Sequence, residues 1–399
     1  MLNRTPGIGP ARMRALCQAF GGAAAVLAAP ADALARVRGC GEKVAEAIRT
    51  TADSFDVDRE LARAKAADAR IITQADDDYP APLRELYDAP MCLYVRGVLQ
   101  PSDTLALGIV GTRRASQYGL AQAERLAYGA AKTGFTIVSG LARGIDTAAH
   151  QGALKAGGRT LAVLGGALDR LYPPENRELA DAIANGHGAI ISEFSMGREP
   201  DRTTFPYRNR IISGLSKGVL VVEAGLSSGA MQTADHALEQ GRSVFAVPGR
   251  VDLDAARGPH RLIKDGARLV EGVDDILKEF EFLFPKSVRD AALQAVDARQ
   301  QVRLSPAETA VVRVLWTDPE VDQDLIVRRT GLSVGQLMVV AMQLELKRII
   351  RRLPGRKLAL VDEIRHWQIP GIADASDRRP APSSSPTPNR PTPTPHERI

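Results

Sequence analysis

The stretch Phe135-Thr-Ile-Val-Ser-Gly-Leu-Ala-Arg-Gly-Ile-Asp146 joins an apolar, β-branched run to a glycine-rich turn that leads into a helix-like segment. The same device recurs at residues 105–113, 160–166 and 218–225. Short apolar strands that alternate with helices are typical of an α/β fold with a doubly wound, mostly parallel sheet. Because the turns after parallel strands share one edge of such a sheet, we expect the ligand site at that edge.

Composition limits the class of protein. The chain has 399 residues, of which 44% are hydrophobic, so we expect two or three soluble domains. Its 52 basic residues nearly balance 47 acidic ones, so a site for a polyanion has to come from local clusters of charge. No stretch approaches the ~20 apolar residues of a membrane span, and the N-terminus lacks the pattern of a signal peptide. We therefore expect a cytoplasmic protein without a membrane segment.

The sequence offers little for metal or cofactor chemistry. Cys17, Cys40 and Cys92 lack the paired spacing of zinc ligands and are expected to be reduced thiols. No dinucleotide-type G-x-G-x-x-G follows the first strand of the repeated device, and no Gly-Lys-Ser/Thr phosphate loop occurs. His236 has neither a nucleophile elbow nor a metal-spaced partner beside it. We predict no cofactor, no metal and no catalytic residue.

Residues 1–70 are predicted to form a small helical domain. Two Gly-x-Gly turns, at Gly7 and Gly39, each precede a helical pattern. Such turns are similar to those of helix-hairpin-helix and SAM-like domains, in which turn amides meet a DNA phosphate. A helical domain that contacts only protein is the alternative. We expect the α/β core at residues 71–285, followed by a linker at residues 286–303.

Residues 304–368 read as three helical segments followed by a short hairpin, which predicts a winged helix. Six basic residues and no acidic ones lie between Lys347 and Lys357, as expected for a wing that meets a phosphate backbone. A winged helix that docks protein through a solvated basic face is the alternative. Residues 369–399 are rich in Pro, Ser and Thr, and we expect them to form a disordered tail.

Arginine-bearing segments follow several of the predicted strands. The pairs Arg113/Arg114 and Arg208/Arg210 and the single Arg143 and Arg202 are the clearest cases. Guanidinium forks match phosphate geometry, and glycine lets backbone amides approach an anion. For any one of these arginines alone, a surface ion pair is the favoured interpretation, but less so for several arginines in successive loops. The predicted phosphate-binding loop residues are Gly111, Thr112, Ser139, Gly140, Gly165, Gly166, Ser228 and Gly229.

Aromatic rings lie within the most basic segment. Phe205 and Tyr207 stand between Arg202 and Arg210, which is typical of proteins that stack unpaired bases while cations follow the backbone. The alternative is that the rings pack beneath the loop as part of the core. Earlier in the chain, Asp146 is expected to cap the helix that begins beside it.

The chain resembles the DNA-processing protein A family (DprA/Smf) of bacteria, and the matching runs fall in one order over residues 105–280. Among them are Ile109-Val-Gly-Thr-Arg113, Ile137-Val-Ser-Gly-Leu-Ala-Arg-Gly-Ile-Asp-Thr-Ala-Ala-His150, Leu164-Gly-Gly-Ala-Leu-Asp-Arg-Leu-Tyr-Pro-Pro-Glu-Asn176, Phe205-Pro-Tyr-Arg-Asn-Arg-Ile-Ile-Ser-Gly-Leu215 and Val222-Glu-Ala-Gly-Leu-Ser-Ser-Gly229.

The resemblance implies a Rossmann-like core that binds single-stranded DNA as a homodimer and hands it to the RecA recombinase during natural transformation or homologous recombination. It implies dimer contacts near Leu262 and Ile263. Relatives often carry a lysine where this chain has Pro174, and Arg170 or Arg177 is expected to compensate. The full set of expected DNA-binding residues is Arg113, Arg114, Arg143, Arg170, Arg202, Phe205, Tyr207, Arg208, Arg210, Lys264 and Arg268.

Two other functions remain open at this stage. One is a nucleotide phosphoribohydrolase of the related LOG type, with residues 225–233 gripping a phosphate and Glu223 or Glu239 acting as the acid. The other is a regulator that binds double-stranded DNA through the winged helix and uses the core as a ligand sensor.

Overall fold

The computed structural model describes residues 1–280 and 304–361, apart from residues 319, 348 and 354 and the side chain of residue 346. The chain divides into two compact units, Met1–Val296 and Asp297–Ile399. Each unit is described by itself. The predicted tail at residues 369–399 and the linker at residues 286–303 lie outside the described residues.

The first unit is built around a nine-stranded sheet with the order β1-β2-β6-β5-β4-β3-β7-β8-β9. The strands from β6 to β9 in that order run parallel, whereas β1 and β2 add an antiparallel edge. The predicted doubly wound, mostly parallel core is thereby confirmed. Its strands are β1 (Ala69–Thr73), β2 (Cys92–Gly97), β3 (Ala106–Val110), β4 (Thr136–Ser139), β5 (Thr160–Val163), β6 (Gly188–Ser192), β7 (Gly218–Val221), β8 (Ser243–Ala246) and β9 (Arg268–Leu269).

Helices cover both faces of this sheet, which explains why its central strands are apolar without alternation. On β3, Ala106 and Val110 pack into one core, whereas Leu107 and Ile109 pack into the other. The helices of the core are α6 (Ala81–Arg84), α7 (Gln117–Lys132), α8 (Ile145–Lys155), α9 (Arg177–Ala182), α10 (Thr204–Leu215), α11 (Gly229–Glu239), α12 (Arg257–Lys264) and α13 (Val273–Glu279).

The N-terminal part of the first unit is helical, as predicted, and has its own core around Leu16, Leu34 and Ile48. It is fastened to the sheet by polar contacts: the Asn3 side chain donates a hydrogen bond to the Glu193 carbonyl at 2.6 Å. Its helices are α1 (Pro10–Phe20), α2 (Ala23–Ala28), α3 (Ala31–Ala35), α4 (Gly41–Ser54) and α5 (Val57–Ala66), where α5 leads into β1.

In its described residues, the second unit has three helices and a three-stranded antiparallel sheet of order β10-β12-β11, which confirms the winged-helix prediction. Ser305 and Ser333 begin its first and third helices by accepting hydrogen bonds from the backbone N–H groups three residues later. The elements are α14 (Pro306–Thr317), β10 (Glu320–Asp322), α15 (Gln323–Thr330), α16 (Val334–Leu346), β11 (Ile350–Leu353) and β12 (Lys357–Leu360).

Two further findings concern only the described residues. No single helix among them is long and apolar enough to cross a membrane, and the pair α15 and α16, joined at 107°, meets that criterion only when taken together. In the same residues, no group of three or more His, Cys, Asp and Glu side chains is arranged to hold a metal ion.

Candidate nucleic-acid interface

A cleft opens at the carboxyl ends of β3, β4 and β5, where the turns after these strands meet, as predicted for a doubly wound sheet. Its walls carry cationic and aromatic side chains over a floor of glycine backbone. The lining includes Arg113, Arg143, Arg170, Tyr172 and Phe205, together with Gly140, Gly165 and Gly166.

Phe205 is a platform for Arg113. The Arg113 guanidinium carbon lies 4.6 Å from the centre of the Phe205 ring, a cation–π contact that orients the cation without neutralising it. The ring also lies against Gly165, where an added Cβ would come within 2.6 Å of the ring carbon Cδ1. A base therefore cannot stack on the Phe205 face that Arg113 already covers. Tyr207 is 55% exposed and is the ring that remains open to a base.

Carboxylates accompany two of the cleft arginines. Arg143 pairs with Glu175, donates a hydrogen bond to the Tyr172 hydroxyl at 3.1 Å and lies over the Tyr172 ring. The hydrogen bond from Arg143 lowers the pKa of Glu175, which is therefore ionised at neutral pH. These partners were not predicted from the sequence, although Tyr172 and Glu175 follow the glycine-rich turn after β5 within ten residues.

Arg170 has a similar arrangement, because its guanidinium lies 3.3 Å from a carboxylate oxygen of Glu199. Both arginines and their partners are solvent-exposed, so each ion pair is weak and a phosphate can replace the carboxylate. By contrast, the exposed side chains of Arg114 and Arg202 have no ion-pair partner in the part of the chain that the structure describes.

Arg208 does not lie in the cleft, contrary to its predicted role as a DNA contact. It is buried beneath the Gly140 turn, where an added Cβ would come within 1.2 Å of its Nη1 atom. Its Nη1 donates a hydrogen bond to the Val163 carbonyl at 3.2 Å and lies 4.0 Å from the Asp146 carboxylate. Arg208 therefore supports the turn from behind, and burial lowers its pKa from the usual arginine value.

Asp146 belongs to the same buried group. The sequence predicted that it caps the helix that begins beside it, but the structure gives it another role. Its carboxylate accepts hydrogen bonds from the backbone N–H groups of Gly140 at 3.1 Å and Ala142 at 3.4 Å. Nearby, His150 is fully buried and its Nδ1 lies 2.7 Å from the Thr160 hydroxyl. Burial lowers the pKa of His150 to about 3, so the imidazole is neutral in the folded protein.

Arg210 is also buried, and its ion pairs with Glu193 and Asp88 are at odds with its predicted role as a DNA contact. Its Nη2 lies 2.6 and 2.7 Å from the two carboxylate oxygens of Glu193, and its Nε lies 3.2 Å from Asp88. Only 3% of Arg210 is exposed. A guanidinium held in this way joins α10 to the end of β6 and is not available to a phosphate.

The predicted phosphate-binding loops divide into two kinds. Gly140, Gly165 and Gly166 all line the cleft, but the amide of Gly140 already donates to Asp146, as the amide of Thr112 donates to the Glu223 carbonyl at 2.6 Å. Ser139 is buried and donates to the Ile109 carbonyl. Gly111, Thr112, Ser139 and Gly140 therefore shape the turns and leave phosphate contacts to the arginine side chains.

Ser228 and Gly229 are not part of the cleft lining. They begin α11, and the Gly229 carbonyl accepts a hydrogen bond from the Asn209 side chain at 3.1 Å. The carboxylate of Glu223 accepts hydrogen bonds from the amide and hydroxyl of Ser116 and so fastens the start of α7. These hydrogen bonds give the Glu223 carboxylate, one of the two candidate acids of a hydrolase, a structural role at the start of α7.

The predicted DNA contacts Lys264 and Arg268 and the predicted dimer contacts Leu262 and Ile263 lie on α12 and β9, at the edge of the sheet next to β8. Lys264 is exposed at the end of α12, and Arg268 on the edge strand β9 pairs with Glu279 at 3.1 Å. Leu262 is buried and Ile263 packs beside the core. The structure therefore does not bring Lys264 or Arg268 into the cleft that holds Arg113.

Comparison with family profiles supports this domain organisation. The profile "DNA recombination-mediator protein A" matches residues 70–281, "DprA winged helix domain" matches residues 295–356, and "SAM-like Helix-hairpin-helix tandem" matches residues 1–53. The first of these alone spans more than half of the chain.

Individual proteins give the same result. DNA processing protein DprA of Streptococcus pneumoniae is 46% identical over 207 residues, which are 52% of this chain and 73% of the relative. Protein Smf of a Synechocystis species is 33% identical over 393 residues, which are 89% of this chain and 96% of the relative. The X-ray structure of DprA from Streptococcus pneumoniae aligns with a TM-score of 0.61 at 35% identity and covers 69% of this chain and 95% of its own.

Proposed function

This chain belongs to the DNA recombination-mediator protein A (DprA/Smf) family, and from that premise we propose that it binds single-stranded DNA in the cleft around Arg113. We further propose that it acts as a homodimer in the cytoplasm, protects the incoming strand and loads RecA onto it.

The observation that carries this proposal is the packing of Arg113 on Phe205. A guanidinium held over a ring is fixed in direction but keeps its charge, so it meets a phosphate without losing further side-chain freedom. Arg114 follows Arg113 in the chain, and Arg202 lies between Pro200 and Phe205, which both line the cleft. We propose that these two exposed arginines extend the positive surface and that the exposed Tyr207 supplies a ring for a base. Cations that follow a backbone beside an open ring fit an unpaired strand better than a duplex, whose bases are stacked inside.

Arg143 and Arg170 are proposed to take phosphates by exchange. In the free protein they face Glu175 and Glu199, and a phosphate can replace these carboxylates because both groups accept bidentate hydrogen bonds from a guanidinium and the exposed ion pairs are weak. Arg208 then acts indirectly, by holding the turn at Gly140 that forms the cleft floor.

The proposed dimer uses the opposite end of the sheet. There, Leu226 and Leu238 are exposed at a groove whose wall includes Leu262, and Leu269 is exposed on the edge strand β9. Apolar side chains at a sheet edge favour association, because a second copy removes both the apolar surface and the unpaired edge strand from water. This supports the expected contact near Leu262 and Ile263 and leaves the Arg113 cleft of each copy open.

The proposal is for a binding protein and not for an enzyme. Glu223, one of the two residues considered as the acid of a phosphoribohydrolase, accepts hydrogen bonds from the amide and hydroxyl of Ser116. Release of free base from nucleoside monophosphates that is lost in Glu223→Gln would contradict this part of the proposal.

Fluorescence anisotropy with a labelled poly-dT oligonucleotide tests the site. Arg113→Ala/Arg202→Ala is expected to weaken binding at least about a hundredfold, because each of the two charge-assisted contacts contributes about 1.5 to 3 kcal/mol. Lys132→Ala/Lys155→Ala is the matched control, since it removes the same charge at the C-terminal ends of α7 and α8, away from the cleft. Equal affinities of the two double variants for poly-dT would show that DNA does not bind in the cleft. Efficient competition by duplex DNA would show that the protein does not prefer single strands.

A further inference from the structure

The rim of the cleft consists of two segments that follow neighbouring strands of the sheet. Residues 166–170 follow β5 and residues 196–200 follow β6, and between them they contribute to the cleft lining Gly166, Arg170 and Pro200. The two segments are joined by a backbone hydrogen bond, because the Ala167 N–H donates to the Arg198 carbonyl at 2.9 Å. A contact that holds one segment therefore also positions the other.

Helix α5, which connects the N-terminal helices to β1, packs against this rim. Ala64 belongs to the same buried cluster as Leu168 and Met196. The buried carboxylate of Glu60 accepts hydrogen bonds from the Met196 N–H at 2.8 Å and from the Tyr94 hydroxyl at 2.5 Å. Hydrogen bonds to an ionised acceptor are among the stronger ones in proteins, so α5 is held firmly against the segment after β6.

Arg63 lies three residues after Glu60 on the same side of α5 and extends to the rim. Its Nη2 lies 2.5 Å from one carboxylate oxygen of Asp169, and the other oxygen accepts a hydrogen bond from the Gly197 N–H at 2.8 Å. Gly197 has a φ of +82°, and an added Cβ there would come within 2.6 Å of the same Nη2. Asp169 thus joins α5 to both rim segments, and it directly precedes Arg170.

We propose that Arg63 is a positioning residue for the DNA-binding cleft, a role that rests on the function proposed above. It holds Asp169 on the α5 side of the rim, so that the next residue, Arg170, stays directed into the cleft. Without Arg63, the Asp169 carboxylate loses its cation and competes with a phosphate for the Arg170 guanidinium. Arg63 therefore affects DNA through Arg170 and does not itself touch DNA.

A double-variant cycle tests this proposal in the full chain, with anisotropy of labelled poly-dT at low salt as the readout. Arg63→Ala is expected to weaken binding about threefold, the value of an exposed charge pair, because the Arg63–Asp169 pair is partly exposed. In the Arg170→Ala background the same change is expected to have no effect, because the cation that Arg63 positions is then absent. Arg63→Lys is expected to restore binding, because an ammonium group can still pair with Asp169.

Arg59→Ala is the matched control. It removes the same charge one turn earlier in α5, where the side chain is exposed, and is expected to bind poly-dT as the wild type does. An equal loss in Arg59→Ala would assign the effect to net charge and overturn the proposal. A loss from Arg63→Ala that persists in the Arg170→Ala background would also overturn it, because Arg63 would then contact the phosphate directly or act through the stability of the fold.

The variant Arg113→Ala/Arg202→Ala separates failure of this inference from failure of the proposed function. Loss of binding in that variant together with wild-type affinity in Arg63→Ala would overturn only the positioning role. Wild-type affinity in both would overturn the two together, because DNA would then not bind in the cleft whose rim Arg63 holds.

Discussion

The cleft around Arg113 and the exposed face of α16 occupy positions at which α/β cores and winged helices commonly bind ligands, yet their chemistry is opposite. The cleft presents guanidinium groups and rests on a buried ionic layer in which Arg208 faces Asp146 and Arg210 faces Glu193. The α16 face, formed by Val334, Met338, Val339 and Met342, presents methionine and valine and rests on a core of aliphatic side chains that includes Leu337, Val340 and Leu344. A fold position therefore fixes where a site can lie, and the side chains decide what it binds.

The largest expected effect comes from breaking the buried layer behind the cleft. Arg210→Ala leaves the Glu193 carboxylate buried without its main partner, and we expect a loss of about 3 to 5 kcal/mol in the free energy of unfolding. Urea denaturation measures this change. Arg202→Ala, an exposed arginine of the same segment, is the control and is expected to change stability by less than about 0.5 kcal/mol. Equal losses in both variants would mean that the buried pair does not support the cleft.

Acid is expected to weaken the same layer through His150. Its pKa is about 3 when folded, against 6.5 as the ordinary value, so the unfolded chain takes up a proton first as the pH falls below 6.5. Stability from this group is therefore complete above pH 6.5 and falls by about 2 kcal/mol between pH 7 and pH 5.

Urea denaturation at the two pH values checks this expectation. His150→Gln is expected to reduce the fall, and the difference from the wild type separates the imidazole from Asp146, whose pKa burial raises. An equal fall in both proteins would assign the pH dependence to other groups.

The platform beneath Arg113 is expected to have a smaller effect. Phe205→Leu keeps the packing volume near Gly165 but removes the ring, and we expect about twofold to fivefold weaker binding of poly-dT, the value of an exposed cation–π contact. Phe205→Tyr is expected to retain binding. Loss of binding in both variants would show that the site needs more from Phe205 than a ring face.

Removing the carboxylate charges beside the cleft arginines is expected to strengthen DNA binding, whereas the preceding variant, Phe205→Leu, weakens it. Glu175→Gln/Glu199→Gln frees Arg143 and Arg170, and we expect binding to become tighter by about twofold because exposed ion pairs are weak. Anisotropy at low salt measures the change. Weaker binding would mean that the carboxylates orient the arginines and do not compete with phosphate.

The least effect on DNA is expected from the apolar face. Met338→Ser/Met342→Ser removes no donor and no charge, so we expect the affinity for poly-dT and for a duplex of the same length to change by less than about twofold. A large loss of duplex binding would give α16 a role in DNA recognition and would end the contrast between the two regions.

Much of the fold and part of the site follow from the sequence. The four strand-turn units specify the parallel sheet, and shared strand ends bring Arg113, Arg143 and Arg170 together although 57 residues separate the first from the last. Arg208 was misplaced although a local signal was present, because it lies three, four and seven residues before the buried Ile211, Ile212 and Leu215. That spacing places it on the inner face of α10.

The burial of Arg210 had no such signal. It depends on pairing with Glu193, which lies 17 residues earlier at the end of β6, and local periodicity does not report a contact between elements. The role of Phe205 was likewise undetermined, because only the close approach of Gly165 and Arg113 decides which ring face is open.

The salt dependence of poly-dT binding tests the central claim, that DNA is held by the cleft arginines, most directly. Each phosphate contact of a single strand contributes about 0.7 to the slope of log K against log salt, so Arg113→Ala/Arg202→Ala is expected to reduce the slope by about 1.4. The control Lys132→Ala/Lys155→Ala is expected to keep the wild-type slope. A slope that is unchanged in the cleft variant would contradict the account and place the DNA elsewhere on the protein.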